Sequence, residues 1–431
     1  MLWTRSFPTT KPQALEALNS LQLQYPVDIF LSQNPQDKKT HTLAGVLPKQ
    51  ELHITQHTPR TDIADFAFCD PLPTLGFLSY NYGLHLHDIK PAKPSSFPLG
   101  HLKKYTLYIR YNELLNRLEI FSLTPQEILS QEIQKILASP STPKPKISPL
   151  KTKGPLTSSL NKDHYIGAVK KVLDAIRCGN TYQLNLSLHL KTALEEFNSY
   201  TFFRGLFEEY PASYYAHFNT HTYSILSTSP EQFLKVHQGK VLSEPIKGTL
   251  SLGPCDIPEE CAAHLRGDEK EEAELSMIVD LIRNDISKHC AYGSVFVQNH
   301  KQVFQVDQLL QMYSTISGTL KPESTSLDLL LDSFPGGSIT GFPKKRSMEI
   351  IEVLEPHSRD IYCGSFFALY NERNLDSSIA IRTGYWDKTN QTLNLYAGSG
   401  ITLKSKPEAE YHETMAKLTK FTQLIKEPSH T

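Results

Sequence analysis

The sequence carries almost no net charge and no long hydrophobic run. Its 431 residues include 44 basic and 45 acidic side chains, which leaves a formal charge of −1. No excess of positive charge is available to attract nucleic acid or an anionic membrane. No apolar run reaches the length that crosses a bilayer, and the first 30 residues lack a basic start followed by an apolar core. We therefore expect a soluble cytoplasmic protein that binds neither nucleic acid nor a membrane.

Two common site signatures are also missing. The six cysteines form no C-x-x-C pair and no zinc-like grouping with histidine, so we expect them to be reduced and mostly structural. The glycine-rich segment 335–341 lacks the Walker spacing and predicts no nucleotide site, although it could hold another anion.

Proline is concentrated in one stretch. Five prolines fall within 138–159, among serines, threonines and lysines. Such a composition packs poorly and favours extended chain. We predict an N-terminal region over 1–138, a linker over 139–159 and a C-terminal domain over 160–427.

Hydrophobic periodicity predicts helices interleaved with strands. The predicted helices cover 125–137, 163–177, 269–286, 346–354 and 407–425. The predicted strands cover 28–31, 77–80, 105–111, 181–190, 222–226, 363–370, 377–383 and 392–397. The strand at 181–190 alternates leucines with polar residues, which predicts one core face and one polar face. Hairpin-like spacings near 360–400 favour antiparallel sheet, so the predicted class is α/β (α+β).

Lys247 is the strongest single candidate for chemistry. It follows an apolar, turn-bounded run and precedes Gly248, which predicts an amine at the end of a strand where the chain can approach a ligand. A partly desolvated lysine loses proton affinity and can act as a nucleophile or base. A surface lysine in a turn is the alternative.

Two helices carry carboxylates at i and i+3, which lie on one helical face. These pairs are Glu271 with Glu274, and Glu410 with Glu413. If the helix ends face each other, four carboxylates converge and need a cation, for which Mg²⁺ is suited. Two solvated helix faces would show the same pattern.

Three further segments could bind or protonate an anionic ligand. Gly398-Ser399-Gly400 predicts a turn after a strand, with backbone N–H groups exposed. Arg382, on the predicted strand 377–383, offers a fork for a carboxylate, or a surface ion pair. Glu231 follows a strand and is a candidate general acid if it is buried.

Seven sequence blocks, in this order, resemble those of the chorismate-utilising enzymes. They are SPEQF, EPIKGT, MIVDLIRND, PGGSITGFPKKR, IAIRT, AGSGI and EAEYHET, within 229–414. The resemblance is strong over about 160–425 and faint before it. Within the family, the chain is most similar to component I of the aminodeoxychorismate synthases, the para-aminobenzoate branch of folate synthesis. The implied fold is that of anthranilate synthase component I, with large, sandwich-like antiparallel sheets wrapped by helices.

The resemblance also implies roles for individual residues. Glu274 and Glu413 would bind Mg²⁺, and Glu271 and Glu410 would hold its waters. Lys247 would be the nucleophile and Glu231 the general acid. The implied chorismate-binding residues are Gln183, Gly248, Thr249, Thr340, Tyr362, Arg382, Gly398, Ser399, Gly400 and Lys417.

Position 183 and position 247 separate the branches of the family. Isochorismate and salicylate synthases resemble this chain but carry a lysine base where Gln183 stands, and glutamine cannot take a proton from water. Anthranilate synthases usually carry alanine where Lys247 stands, and ammonia attacks C2 directly. A lysine can occupy C2 first, so that ammonia enters at C4. Lys247 therefore predicts 4-amino-4-deoxychorismate as product, with anthranilate synthase component I as the alternative.

Three departures from the family pattern lie near the expected pocket. Gln311 replaces a histidine, which argues further against anthranilate, while Phe342 and Phe367 replace smaller residues. In some family members a tryptophan binds at positions that correspond to Ser32, Ser213, Tyr214 and Tyr215. A catalytically silent homologue that senses tryptophan or holds a partner is a second alternative.

The chain shows no glutaminase signature, because no nucleophilic cysteine elbow with a paired histidine is present. We therefore expect ammonia to come from a separate glutamine amidotransferase subunit, component II.

Overall fold

The computed structural model describes residues 2–33, 40–138, 150–209, 212–253, 256–306 and 309–426. Within these ranges the chain forms 22 strands and 11 α-helices. The helices are α1 Lys11–Gln22, α2 Arg60–Phe68, α3 Tyr80–Leu86, α4 Glu127–Ala138, α5 Lys162–Arg177, α6 Ser199–Glu209, α7 Pro258–Arg266, α8 Glu269–Ser287, α9 Ser326–Ser333, α10 Lys344–Leu354 and α11 Pro407–Thr422.

The strands are mostly short and closely spaced. They are β1 Trp3–Pro8, β2 Val27–Gln33, β3 Thr40–Ile54, β4 Thr74–Leu78, β5 Gly100–Asn112, β6 Arg117–Ser122, β7 Leu150–Lys151, β8 Thr157–Ser158, β9 Gln183–Ala193, β10 Tyr214–Asn219, β11 Tyr223–Ser229, β12 Gln232–His237, β13 Lys240–Ser243, β14 Ile246–Ser251, β15 Phe296–Val306, β16 Leu309–Thr319, β17 Gly341–Phe342, β18 Ser365–Asn371, β19 Asn374–Ile379, β20 Thr383–Asp387, β21 Thr392–Ile401 and β22 Ile425–Lys426.

Twenty of these strands belong to one hydrogen-bonded network whose described pairs are antiparallel. The network branches at β5, whose first residues pair with β4 and whose last residues pair with β6. Strands from different parts of the network, such as β4 and β10, pack against each other through aromatic side chains. Phe77 of β4 meets Phe218 of β10 edge-on, with ring centroids 5.3 Å apart. Helices cover the outside, for example α11 on β21 and α8 on β16. The predicted fold class is confirmed.

Strand pairing crosses the proline-rich stretch. Ser32 of β2 lies opposite Tyr214 of β10, and Leu78 of β4 lies opposite Ser365 of β18. The larger hydrophobic core likewise combines residues from before and after that stretch. The region 1–138 therefore contributes strands to the same sheet network as the rest of the chain.

Several local predictions were wrong, and each error bears on the site. Arg382 lies between β19 and β20 with a φ of +48°, off any strand, because a left-handed residue breaks the pleat. Gly398–Gly400 is not a turn but the end of β21, paired with β9. Lys247 is the second residue of β14 and not its end. The polar face of β9 is buried as well as its leucine face, so the strand is covered on both sides.

Element ends differ elsewhere. Tyr80 begins α3 and does not end a strand, and the last helix stops at Thr422, before the short strand β22. Both ends follow from tertiary contacts that a periodic pattern does not contain.

Candidate active site

A cavity of about 500 Å³ opens where the loop between β11 and β12, the start of β14, α8, β21 and α11 meet. It gathers residues that lie up to 232 positions apart, from Asn185 to Lys417. Eleven of the predicted site residues line it, namely Glu231, Lys247, Gly248, Glu271, Glu274, Tyr362, Arg382, Gly398, Gly400, Glu413 and Lys417.

Four predicted residues are buried and do not line this cavity, namely Gln183, Thr340, Ser399 and Glu410. Ser399 is buried and donates a hydrogen bond to Oε2 of Glu410 (2.7 Å). Thr340 is buried and donates to the carbonyl of Gly336 (2.9 Å). Gln183 is buried, and neither of its side-chain polar atoms is hydrogen-bonded to any residue that the structure describes. The side chain of Thr249 lies outside the described residues.

Glu231 lies in the two-residue connection between β11 and β12, directly after Pro230. Only 9% of the residue is exposed, and its Oε1 accepts a hydrogen bond from the Ser338 hydroxyl (2.7 Å). Burial raises the pKa of this carboxyl, opposed by the Ser338 bond and by the charges of Lys247 and Lys417. A raised pKa keeps the proton available, which suits a general acid.

Lys247 is aimed by a bulge in β14. The register with β16 shifts between Lys247 and Thr249. Gly248 has a φ of +63°, a backbone conformation that residues with a side chain rarely adopt. The Lys247 amine lies 3.8 Å from the point where a Cβ on Gly400 would stand. Within the described ranges, no carboxylate lies in ion-pairing distance of this amine. The Lys247 amine thus faces the cavity, opposite the end of β21 that carries Gly400.

The carboxylates of α8 and α11 border the same cavity. Glu274 is buried and accepts from Oγ1 of Thr402 (3.3 Å), while Glu413 is half-exposed and pairs with Lys417 (2.8 Å). No three of the four predicted glutamates bring ligand atoms within 4.8 Å of one another. Glu271, Glu274 and Glu413 thus offer three separated carboxylates around an open cavity. Such a set fits Mg²⁺, which keeps several water ligands and is also coordinated by an anionic substrate.

Cationic groups face these carboxylates. Arg382 is held by its backbone carbonyl, which accepts from the Thr228 amide (3.1 Å), and no carboxylate pairs with its guanidinium among the described residues. Burial lowers its pKa, but a guanidinium stays charged in a protein. Lys417 donates to the carbonyl of Gly398 (3.0 Å). A partly buried guanidinium without a carboxylate partner among the described residues, beside an open cavity, is a site for an anion.

A buried ion pair beneath the cavity escaped the sequence analysis. Arg359 makes two hydrogen bonds to Glu355 (2.9 and 2.7 Å) and two more to the carbonyls of Ile339 (3.0 Å) and Asn185 (2.6 Å). Ile339 and Asn185 both line the cavity. The i, i+4 spacing of the pair looks like an ordinary surface pair, and only the fold reveals its burial.

The three departures from the family pattern take different places. Gln311 lines the cavity. Phe342 is partly exposed and stacks on Tyr182, with ring centroids 5.6 Å apart. Phe367 is fully buried in the core. Of the three, Gln311 is the one that borders the cavity.

The predicted tryptophan positions are partly brought together. Ser213 and Tyr214 line a second cavity of about 20 Å³, and Ser32 lies opposite Tyr214 in the sheet. Tyr215 points to the other face, where its ring packs on Phe207. A cavity of this volume holds about one water molecule, far less than an indole.

Comparison with known proteins identifies a family that matches this chain. The sequence model of the chorismate binding enzyme family matches residues 9–423. A probable chloroplastic aminodeoxychorismate synthase of Oryza sativa is 39% identical over 62% of this chain and 30% of that protein. Anthranilate synthase component 1 of Thermus thermophilus is 36% identical over 59% and 55%. Aminodeoxychorismate synthase component 1 of Bacillus subtilis is 31% identical over 80% and 74%. The chain thus spans less than two thirds of the first two relatives.

Solved structures agree on the fold. Anthranilate synthase component I from Streptococcus pneumoniae superimposes with a TM-score of 0.71 at 26% identity, over 92% of each chain. The menaquinone-specific isochorismate synthase of Escherichia coli superimposes with a TM-score of 0.76 at 17% identity, over 99% of this chain and 95% of that one, which supports the fold alone. No helix within the described residues is long and apolar enough to cross a bilayer.

Proposed function

This chain belongs to the chorismate binding enzyme family, and we propose that it aminates chorismate at C4 to give 4-amino-4-deoxychorismate, a precursor of para-aminobenzoate and folate. One observation carries the proposal. The amine of Lys247 borders the same cavity as the buried carboxyl of Glu231 and the guanidinium of Arg382, which no carboxylate of the described residues pairs with. Relatives named aminodeoxychorismate synthase support the same product.

The reaction requires two displacements. The Lys247 amine forms a bond to C2, the ring double bonds shift, and the C4–O bond breaks. Glu231 gives its proton to the departing hydroxyl, which leaves as water. Ammonia then forms a bond to C4, the double bonds shift back, and the bond between Lys247 and C2 breaks. The ammonium formed at C4 returns one proton to Glu231, so that chorismate and ammonia are converted into aminodeoxychorismate and water, and both Lys247 and Glu231 are recovered.

The remaining residues of the cavity would bind and orient chorismate and Mg²⁺. Arg382 and Lys417 would attract the carboxylates of chorismate, and the closeness of β21 to the ring follows from Gly398 and Gly400. Glu274 and Glu413 would hold Mg²⁺, with Glu271 on its waters and Glu410 fixed behind them by Ser399. When bound, the ion would neutralise a substrate carboxylate.

The ammonia would come from a separate glutamine amidotransferase subunit. The name "component 1" of the Bacillus subtilis relative supports a second component. The isolated chain should then use free ammonia.

Anthranilate synthesis is the second candidate, because relatives with that name match at similar identity. The two products are isomers that carry nitrogen on different carbons, so NMR separates them where mass alone does not. We would incubate purified protein with chorismate, Mg²⁺ and an ammonium salt at alkaline pH. C4 amination supports the proposal, anthranilate points to the second candidate, and unchanged chorismate favours a silent homologue.

Lys247→Ala tests the covalent route. We expect loss of C4 amination with chorismate and Mg²⁺ binding retained, while Lys240→Ala, which removes an exposed lysine of the neighbouring strand, keeps full activity. Unchanged C4 amination in Lys247→Ala would remove the lysine from the mechanism.

A further inference from the structure

A compact set of metal-ligating side chains lies on the N-terminal strands, away from the catalytic cavity. Glu51, His53 and His101 place one ligand atom each within 4.8 Å of the others. None of the three lines the cavity that holds Lys247. Of the described residues, this is the one group of three or more histidine, cysteine or acidic side chains with such geometry.

The strand register builds the set. Glu51 and His53 are two residues apart on β3 and so project from the same face. His53 lies directly opposite His101 on β5, and Glu51 lies opposite Lys103. Two neighbours along one strand and one neighbour across from them form a triangle that the backbone itself fixes.

His101 is the rigid corner of this triangle. Its side chain is fully buried and lies edge-on to Phe77 and Phe218, with ring centroids 6.4 and 5.6 Å away. Its Nε2 is 2.8 Å from Oε2 of Glu51. The His53 ring lies over it at 4.1 Å between centroids and is 65% exposed, so it can turn toward a shared ligand. Nε2 of His53 is 4.0 Å from the same Glu51 oxygen.

The lysine that lies opposite Glu51 in the sheet already has a counter-charge. The Lys103 amine is paired with Oδ2 of Asp28 at 3.0 Å. A cation at the triangle would therefore meet one carboxylate and two imidazoles without an unpaired lysine beside it.

We propose that Glu51, His53 and His101 bind a divalent transition-metal ion of the Zn²⁺ class. Two imidazole nitrogens and one carboxylate oxygen are donors that Zn²⁺ favours, and three protein ligands leave a fourth position for water. Mg²⁺ prefers oxygen ligands, so the set is chemically distinct from the glutamates of the cavity. The ion would tie β3 to β5 at an exposed edge of the N-terminal region.

The surroundings also limit the affinity. A metal on Nε2 of His101 moves the ring proton to Nδ1, which is buried and has no hydrogen-bond partner in the described part of the chain. Zinc sites usually supply an acceptor there, and its loss weakens binding by about 10- to 100-fold. We therefore expect a site weaker than a closed structural zinc centre.

The test is calorimetric titration of the full chain with Zn²⁺ in the presence of excess Mg²⁺, which saturates the catalytic glutamates. We expect one ion bound per chain, with affinity lowered at least about 100-fold in His53→Ala and in Glu51→Gln, more than loss of an outer partner causes. His57→Ala is the matched control, because His57 is an exposed histidine that follows the same strand outside the triangle.

Both main variants change exposed residues, so folding should survive. Co²⁺ binding followed by visible absorption gives a second readout, since a tetrahedral N₂O site absorbs strongly and an octahedral one does not. Equal Zn²⁺ affinity in His53→Ala and the unaltered chain would overturn the proposal, as would an equal loss in His57→Ala. Activity with chorismate does not enter this test.

Discussion

The Ser338 hydroxyl donates a hydrogen bond of 2.7 Å to Oε1 of the buried Glu231. The bond joins the glycine-rich loop before β17 to the turn between β11 and β12. It stabilises the carboxylate form of Glu231 and so opposes the effect of burial on the pKa of this group. The glycine-rich loop thus lowers the pKa of the proposed proton donor, Glu231.

Ser338→Ala should shift the pH profile of kcat/KM. Without the hydroxyl the pKa of Glu231 rises further, so the general acid stays protonated to higher pH and the alkaline limb moves upward. A hydrogen bond to a charged group contributes about 1.5–3 kcal/mol, which corresponds to about 1–2 pH units. Ser378→Ala removes a buried hydroxyl that has no partner within the described residues and should leave the profile in place. A downward shift in Ser338→Ala would contradict the assignment of Glu231 as acid.

Arg382→Gln should raise KM for chorismate by about 10- to 100-fold, the value of a hydrogen bond to a charged group. Because the guanidinium is partly buried and has no carboxylate partner among the described residues, its loss should leave the melting temperature unchanged or higher. Steady-state kinetics and thermal unfolding measure the two effects. Arg346→Gln breaks an exposed pair with Glu349 and an exposed hydrogen bond to Asn180, away from the cavity, and should change neither. An unaltered KM in Arg382→Gln would exclude the arginine from substrate binding.

Glu274→Gln should raise the Mg²⁺ concentration needed for half-maximal rate by at least about 10-fold, since a carboxylate ligand becomes a neutral amide. Glu272→Gln on the same helix is the control, because Glu272 pairs with Lys301 on the surface at 3.3 Å. Titration of the rate with Mg²⁺ distinguishes the variants. Equal Mg²⁺ dependence in both variants would mean that Glu274 of α8 does not bind the ion.

The glycines of β21 should differ in their tolerance of a methyl group. A Cβ on Gly398 would lie 2.6 Å from the carbonyl of Leu186 and 2.9 Å from the Tyr362 hydroxyl, so Gly398→Ala should lower the melting temperature. On Gly400 the nearest atoms are flexible side-chain ends, Nε2 of Gln183 at 3.0 Å and the Lys247 amine at 3.8 Å. Gly400→Ala should therefore fold normally and lose turnover. A folded, active Gly398→Ala would show that β9 and β21 can separate.

Glu355→Gln should destabilise the fold by about 3–5 kcal/mol, because it leaves the buried Arg359 without its counter-charge. Denaturant unfolding measures the change. Glu349→Gln, in an exposed pair, should stay within about 0.5 kcal/mol of the unaltered chain. A similarly small effect in Glu355→Gln would mean that water reaches Arg359.

The sequence motifs located most of the candidate site, while its geometry came from the fold. Lys247, Glu231 and the glutamates of α8 and α11 were identified from local patterns and family blocks, and all but Glu410 line one cavity. Arg382 was placed on a strand because Ile379 and Ile381, just before it, follow the two-residue period of a strand. Such a period does not reveal that a single residue has a left-handed backbone conformation. Gly398 and Gly400 suggested a turn, although they serve close strand packing.

The sequence by itself determined the family, the alternation of helices and antiparallel strands, and the chemical types of the site residues. These follow from local composition and from ordered blocks that are readable along the chain. Only the tertiary structure decided that β9 is buried on both faces, that Arg359 and Glu355 support the cavity from below, and that Glu51, His53 and His101 meet. Such relations depend on strand register and on contacts between distant segments, where burial and pairing energies act that no local pattern encodes.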